Sequence, residues 1–295
     1  MVKKFDEFNI KPMLKDGLRR MNYNDSTEVQ ELTFPVMMGG KNVVVKSFTG
    51  SGKTLAFGIP VSERILRRDS NSVVIIGPTR ELVVQVCTEI QKLNRFSRMK
   101  IFTVYGGHGI TGEVVSLRKG FEILCATPGR LLDHIERGNL RNIKVDTVIL
   151  DEGDLMLDMG FQEDINKILR MLKPRNVHLF SATIDGKITQ VIKEHIQQYE
   201  LIDIQKEIVG TQIFEEEIKL RPEQKFPKLL EYLNQATGKI LIFSSTKRYV
   251  EILRERIEKE GFQCNTIHGD ITQARREHAL REFKTGKIKI LIATE

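Results

Sequence analysis

Two short strings carry most of the chemistry this sequence offers. The first is SFTGSGKT, residues 47–54, set between a β-branched apolar run and a segment of helical period. Gly50 and Gly52 let the backbone curl so that successive N–H groups face one anion, and the start of a helix adds the positive end of its dipole. Within the run Thr49, Gly50, Ser51, Gly52, Lys53 and Thr54, the Lys53 ammonium is placed to reach the β- and γ-phosphates of a nucleotide. The Thr54 hydroxyl is placed to ligate Mg2+. Ser47 stands where the strict GxxxxGK[ST] pattern has glycine. The second string is DEGD, residues 151–154, directly after the apolar run TVIL. A carboxylate ending a buried strand beside a phosphate loop is where such sites hold Mg2+, so Asp151 is expected on the metal and Glu152 on the attacking water. Alone, the acidic run 151–158 would read as a solvated turn. Paired with the phosphate loop, it completes a nucleotide–metal site.

The elements that must position these strings follow from periodicity. Short apolar runs at 42–46, 72–77, 100–105, 122–127, 146–151 and 177–183 read as strands. Between them, stretches near 53–68, 81–95, 130–137 and 160–172 space their apolar residues three and four apart, as amphipathic helices do. Strand–helix alternation with continuous apolar strands predicts an α/β fold with a parallel sheet covered on both faces. Ligands of such sheets bind at the carboxyl ends of the strands. The pattern lapses around 204–214 and resumes with strands at 216–220, 239–245, 262–269 and 287–295 and helices near 225–236, 246–260 and 272–285. The expected organisation is therefore a first lobe over 1–203, a linker over 204–212 and a second lobe over 213–295. The second lobe reads as truncated, being short for a domain and stopping directly after a strand.

Composition narrows the class without fixing it. A chain of 295 residues with 40% apolar content supports two packed cores, and no run approaches the roughly 18–20 apolar residues of a membrane span. The opening MVKKFDEFNI lacks the apolar segment of a secretory signal. Cys87, Cys125 and Cys264 are far apart, with no CxxC pair, and read as reduced thiols of an intracellular protein. The net charge of +7 is mild and permits a phosphate-binding face without demanding one.

Further strings fall in an order that resembles one family. Phe5, NYNDSTEVQ (22–30), SFTGSGKT, PTREL (78–82), GG (106–107), TPGR (127–130), DEGD, SAT (181–183), LIFSSTK (241–247), HGD (268–270) and the pair Gln273 and Arg276 follow one another along the chain. In this order they resemble the DEAD-box ATP-dependent RNA helicases of the second helicase superfamily, from Phe5 to the end. The resemblance implies two RecA-like P-loop NTPase lobes with parallel sheets, using ATP and Mg2+ and acting on RNA, with no membrane. It implies that Gln30 reads the adenine edge, that Thr27 contacts the phosphate loop or the nucleotide, and that Phe5 stacks on the base. A terminal Phe also packs on its own domain, so both roles stand open for Phe5. Ser181 and Thr183 would couple hydrolysis to lobe closure. Thr79, Arg80, Gly107, Thr127, Gly129 and Arg130 would lie along the RNA sugar–phosphate backbone, where contacts position a strand without reading its sequence.

The chain departs from the family pattern at Asn22, Ser26, Gly153 and Glu295, which stand where the family has Gly, Pro, Ala and Asp. The later segment that supplies arginine fingers does not follow ILIATE. Three functions are therefore open: an RNA helicase, an ATP- and RNA-binding module with little turnover, and a DNA helicase or other P-loop enzyme.

Overall fold

A computed structural model describes residues 3–204 and 214–294. The chain divides into two compact units, Met1–Glu207 and Ile208–Glu295. Residues 205–212 of the expected linker lie outside the described residues, and Ile204 closes the last strand of the first unit.

The first unit is built on seven parallel strands, β1 (Asn42–Ser47), β2 (Ser72–Ile76), β3 (Ile101–Val104), β4 (Ile123–Ala126), β5 (Val145–Asp151), β6 (Asn176–Ser181) and β7 (Tyr199–Ile204). Their order across the sheet is β3-β4-β2-β5-β6-β1-β7, and every pairing is parallel. Helices α1 (Pro12–Arg20) and α2 (Glu28–Met38) precede β1, and α3 (Lys53–Arg67) and α4 (Arg80–Leu93) follow β1 and β2. They are followed by α5 (Thr111–Arg118), α6 (Pro128–Glu136), α7 (Gly153–Asp158), α8 (Gln162–Leu172) and α9 (Gly186–His195).

Neighbouring strand residues point to opposite faces, which explains the continuous apolar runs. Val43, Val45, Val73, Ile75 and Phe180 enter one core with Met37 of α2, Phe57 of α3 and Ile90 of α4. Val44, Val74, Ile76, Leu150 and Leu179 enter the other with Leu131 of α6, Ile168 of α8 and Val191 of α9. At the crossing of α1 and α4, a Cβ on Gly17 would lie 2.0 Å from the Leu93 carbonyl oxygen, so only glycine lets these helices approach.

The sequence pattern does not announce β7. It pairs with β1 at the sheet edge, and its run YELIDI leaves Tyr199 and Leu201 exposed, so no continuous apolar stretch marks it.

The second unit holds β8 (Ile240–Ser244), β9 (Cys264–Ile267) and β10 (Ile290–Thr294), parallel in the order β8-β10-β9, with α10 (Pro222–Gln235), α11 (Lys247–Lys259) and α12 (Gln273–Thr285). The strand expected at 216–220 does not form. Three consecutive glutamates at 215–217 meet no partner strand, Ile218 is exposed, and the segment is tied instead to α10 by the Tyr232 hydroxyl donating to Glu216 Oε2 at 2.6 Å.

Among the described residues no helix is long and apolar enough to cross a membrane. Cys87, Cys125 and Cys264 are free and buried.

Candidate functional site

The phosphate loop bridges the end of β1 and the start of α3. Gly50 (φ 87°) and Gly52 (φ 96°) adopt the left-handed backbone the loop requires. A Cβ on Gly52 would come within 2.6 Å of Gln30 Nε2 and 2.9 Å of Thr27 Oγ1, so the start of α2 lies directly against the loop. Gln30 is buried there, its Nε2 donating to the Gly52 carbonyl at 3.1 Å and its Oε1 accepting from the Thr27 amide at 2.8 Å. Thr27 is the N-cap of α2, and its side chain accepting from the Gln30 amide while Gln30 accepts from the Thr27 amide makes a capping box.

Lys53 is only 6% exposed, and its Nζ donates to the Ser47 carbonyl at 3.2 Å. The Ser47 and Ser51 hydroxyls are 3.1 Å apart, so the serine that replaces glycine here is built into the loop. Thr54 is half-buried in the first turn of α3, and Thr49 is exposed at the tip.

The acidic string sits at the end of β5. Lys53 Nζ lies 3.4 Å from Glu152 Oε1, joining the two strings. Glu152 holds φ 53°, a strained backbone position for a non-glycine residue and one that recurs at functional sites. Asp151 is 7% exposed and its Oδ1 has no hydrogen-bond partner. Burial, reinforced by the adjacent Glu152 and opposed by Lys53, pushes its carboxyl up to about 7. An uncompensated buried carboxylate oxygen beside a phosphate loop fits a hard divalent cation. No group of three or more His, Cys, Asp or Glu among the described residues forms a full shell. The protein thus offers a hard oxygen donor at this sheet end without a full shell of its own.

Asp154, which sequence reasoning passed over, links this string to the loop after β6. Its amide donates to Ser181 Oγ at 3.0 Å, and its Oδ2 accepts from both the amide and the hydroxyl of Thr183 at 2.9 Å. Partial burial works to raise the Asp154 carboxyl, and the hydrogen bonds from Thr183 and Ser181 outweigh it, holding the group below its ordinary value. Its position in the same four-residue string was the available signal.

A second cluster lies on the loops after β2, β3 and β4, at the same carboxyl end of the sheet. Thr79 caps α4, its Oγ1 accepting from the Leu82 amide at 3.3 Å. The Arg80 guanidinium lies against Gly107 (φ 97°), where a Cβ would fall 2.1 Å from Nη1. Thr127 is the N-cap residue of α6, and its amide donates to the Val104 carbonyl at 3.2 Å. A Cβ on Gly129 would be 3.8 Å from Asp164 Oδ2, so this turn faces α8. Arg130 donates from Nε to the Tyr105 carbonyl at 3.2 Å and from Nη2 to the His108 carbonyl at 2.5 Å. Arg80, Gly107 and Arg130 are thereby gathered around one loop.

Phe5 stands apart from both clusters. Its ring is 3% exposed in a separate apolar core with Leu14, Leu18 and Leu55, 5.4 Å from Phe8. Of the two roles open to it, this placement is the packing one. Nearby, Asn22 takes φ 60°, a left-handed position that Asn tolerates better than most residues. Ser26 donates to the Lys3 carbonyl at 2.8 Å and to Glu31 Oε1 at 2.7 Å. Both substitutions therefore have a local structural fit.

A parallel sheet with a glycine-rich phosphate loop on β1 and a carboxylate pair on β5 defines a P-loop nucleotide-binding protein with RecA-like architecture. The family model described as DEAD/DEAH box helicase matches residues 27–191, and the helicase conserved C-terminal domain matches 224–295. The chain belongs to the DEAD/DEAH box helicase family. It is 39% identical to ATP-dependent RNA helicase CshA of Listeria monocytogenes over 99% of this chain and 57% of that protein. It is 38% identical to DEAD-box ATP-dependent RNA helicase CshA of Bacillus subtilis over 99% of this chain and 60% of that protein. The chain thus spans less than two thirds of the length of these curated relatives. Among solved structures, S. cerevisiae Dbp5 bound to RNA and ADP BeF3 superposes with TM-score 0.86 at 26% identity, covering 99% of this chain and 76% of that one. A DEAD box protein from the hyperthermophile Methanococcus jannaschii gives TM-score 0.66 at 35% identity, covering 100% of this chain and 81% of that one.

Proposed function

We propose that this chain is the ATP-hydrolysing, RNA-gripping part of an intracellular ATP-dependent RNA helicase. Residues 1–203 would be the ATP-binding lobe and 213–295 part of the C-terminal lobe. The observation that carries this reading is the juxtaposition of Lys53, Glu152 and Asp151, whose buried Oδ1 has no hydrogen-bond partner, at one end of the sheet. The same sheet end carries the Arg80–Gly107–Arg130 cluster.

Each residue then has a defined task. The loop amides of Gly50 to Thr54 and the Lys53 ammonium hold phosphate oxygens, and Gln30 and Thr27, already seated on the loop, meet the base or support the loop. Asp151 and Thr54 would hold Mg2+, which when bound neutralises charge on the phosphate oxygens. Glu152 orients and polarises the attacking water. Asp154, hydrogen-bonded to Ser181 and Thr183, ties the acidic string to the SAT loop, so a change at the nucleotide is passed to that loop. Thr79, Arg80, Gly107, Thr127, Gly129 and Arg130 grip the RNA backbone without reading sequence. Closure of the two lobes over both ligands would favour a bent strand and open a short duplex, a population shift driven by contacts made only in the closed form.

Steady-state ATP turnover by this chain, with and without single-stranded RNA, tests the reading beside Lys53→Ala. The expected result is RNA-stimulated turnover that falls at least about 100-fold in the variant, the scale of removing one preorganised charge donor. Binding of both ligands without turnover would leave only a binding module. Stimulation by DNA as strong as that by RNA would overturn the substrate assignment.

A further inference from the structure

Glu113, in the first turn of α5, is outside every string that marks the family, yet it is 7% exposed and surrounded by donors. Its Oε2 is 2.9 Å from Arg130 Nε and 2.9 Å from His134 Nε2. Its Oε1 accepts from the Tyr105 amide at 3.1 Å and lies 3.5 Å from His108 Nε2. His134 on α6 is fully buried, and its Nδ1 faces the Asn139 Nδ2 amide at 3.0 Å. An amide NH2 can only donate, so His134 Nδ1 accepts and the ring proton resides on Nε2, pointing at Glu113. His134 thereby donates to the carboxylate and fixes it in place.

A buried carboxylate is costly unless paired and hydrogen-bonded, and this one is satisfied from the 105–109 loop and from α6 at once. What it holds in return is the loop 105–109. Glu113 takes the Tyr105 amide, and Arg130, oriented by Glu113, takes the carbonyls of Tyr105 and His108. The Tyr105 and His108 rings pack edge to face at 4.7 Å, closing the loop on itself. Gly107, the residue under the Arg80 guanidinium, is thus clamped on both sides.

We infer that Glu113 is the positioning residue of the RNA-backbone site: it orients Arg130 and locks the 105–109 loop, setting how tightly RNA is gripped without touching it. The inference rests on the reading that the Arg80–Gly107–Arg130 cluster contacts RNA.

A double-mutant cycle separates the two. Affinity for a labelled oligouridylate is measured by anisotropy for wild type, Glu113→Ala, Arg130→Ala and the double variant, with affinity for a fluorescent ATP analogue and thermal melting alongside. Glu113→Ala should weaken RNA binding roughly five- to tenfold, as expected for loss of charge-assisted buried hydrogen bonds, with nucleotide affinity unchanged within about twofold. The double variant should bind no worse than the weaker single variant, because Glu113 and Arg130 hold the same 105–109 loop as one unit. Glu113→Gln, which keeps the shape and one acceptor oxygen, should fall between wild type and Glu113→Ala, and it carries the test if Glu113→Ala does not fold. If Arg130→Ala leaves RNA affinity unchanged, the RNA assignment of Arg130 fails and takes the inference with it. If Arg130→Ala weakens RNA binding while the Glu113 variants do not, or the two effects add, the positioning role is overturned and the RNA assignment stands. A Glu113 effect equal on RNA and nucleotide would mark a role in folding alone and likewise overturn it.

Discussion

The strands β1 and β8 look alike in sequence, NVVVKS and ILIFS, and yet they are covered differently. In the first unit the central strands are buried on both faces, with α2, α3 and α4 on one side and α5 to α9 on the other. In the second unit Ile240 and Ile242 face a core made by α10, α11 and β10, while Leu241 and Phe243 on the opposite face are 48% and 61% exposed. An apolar run specifies a strand, but neighbouring helices decide whether both of its faces leave water. Hydrophobic stabilisation scales with the area removed, so equal side chains contribute unequally in the two sheets.

The sharpest way to break this comparison is to truncate one phenylalanine in each sheet system. Phe57 is fully buried and meets Phe180 edge to face at 5.0 Å. Phe57→Ala should destabilise the first unit by about 3–5 kcal/mol, whereas Phe243→Ala should change stability by no more than about 0.5 kcal/mol. Urea unfolding followed by circular dichroism, with each unit allowed its own transition, measures both. Comparable losses would mean that Phe243 is covered in solution and that the two sheets are equivalent.

Acid offers a second, smaller probe. His178 on β6 is fully buried, accepts at Nδ1 from the Val43 amide at 3.3 Å, and has no partner at Nε2. Burial, with the Arg64 charge adding to it, lowers its pKa from 6.5 to about 3. Between those values the unfolded chain binds a proton that the folded chain refuses, so stability rises with pH in this window and falls as pH drops below 6.5. The loss should reach about 2 kcal/mol at pH 5, and acid should therefore erode the advantage of the first unit. Comparing the pH 7 to pH 5 difference in wild type and His178→Leu isolates this group from the carboxylates. An identical difference in both proteins would show that His178 protonates without cost.

Much of this was legible before any coordinates. Strands that are central and doubly buried advertise themselves as unbroken apolar runs, and the phosphate loop and acidic string are read from residue type and order. What could not be read in advance shares a cause, because pairing and burial are tertiary facts. The edge strand β7 mixes polar with apolar residues, as a surface loop can, and EEIKL is mixed in the same way but pairs with no strand. Phe5 is an aromatic near a nucleotide string, and only the packing of Phe8, Leu14 and Leu55 around it shows where the ring goes. Glu113 is one glutamate among many in a line of text. Its contacts exist only once the loop after β3, α5 and α6 converge.

The smallest expected effect tests how finely the tight packing of the first unit is tuned. Gly153 opens α7 where the family has alanine, and a Cβ there would meet Leu179 Cδ1 at 3.0 Å and Ile188 Cδ1 at 3.1 Å. Both neighbours are methyl ends that can shift by a few tenths of an ångström, and alanine removes backbone freedom from the unfolded chain. The two effects oppose each other, so Gly153→Ala should alter stability by less than about 0.5 kcal/mol. It should leave the Asp154 contacts to Ser181 and Thr183 intact. In the second unit Gly238 has nothing within 4 Å of its would-be Cβ, so Gly238→Ala keeps only the favourable part and should stabilise by about 0.4–1 kcal/mol. Matched thermal melts of the two variants decide the point. A large loss at Gly153 would mean that Leu179 and Ile188 cannot yield, making the core beneath the acidic string more rigid than its methyl-lined contacts suggest.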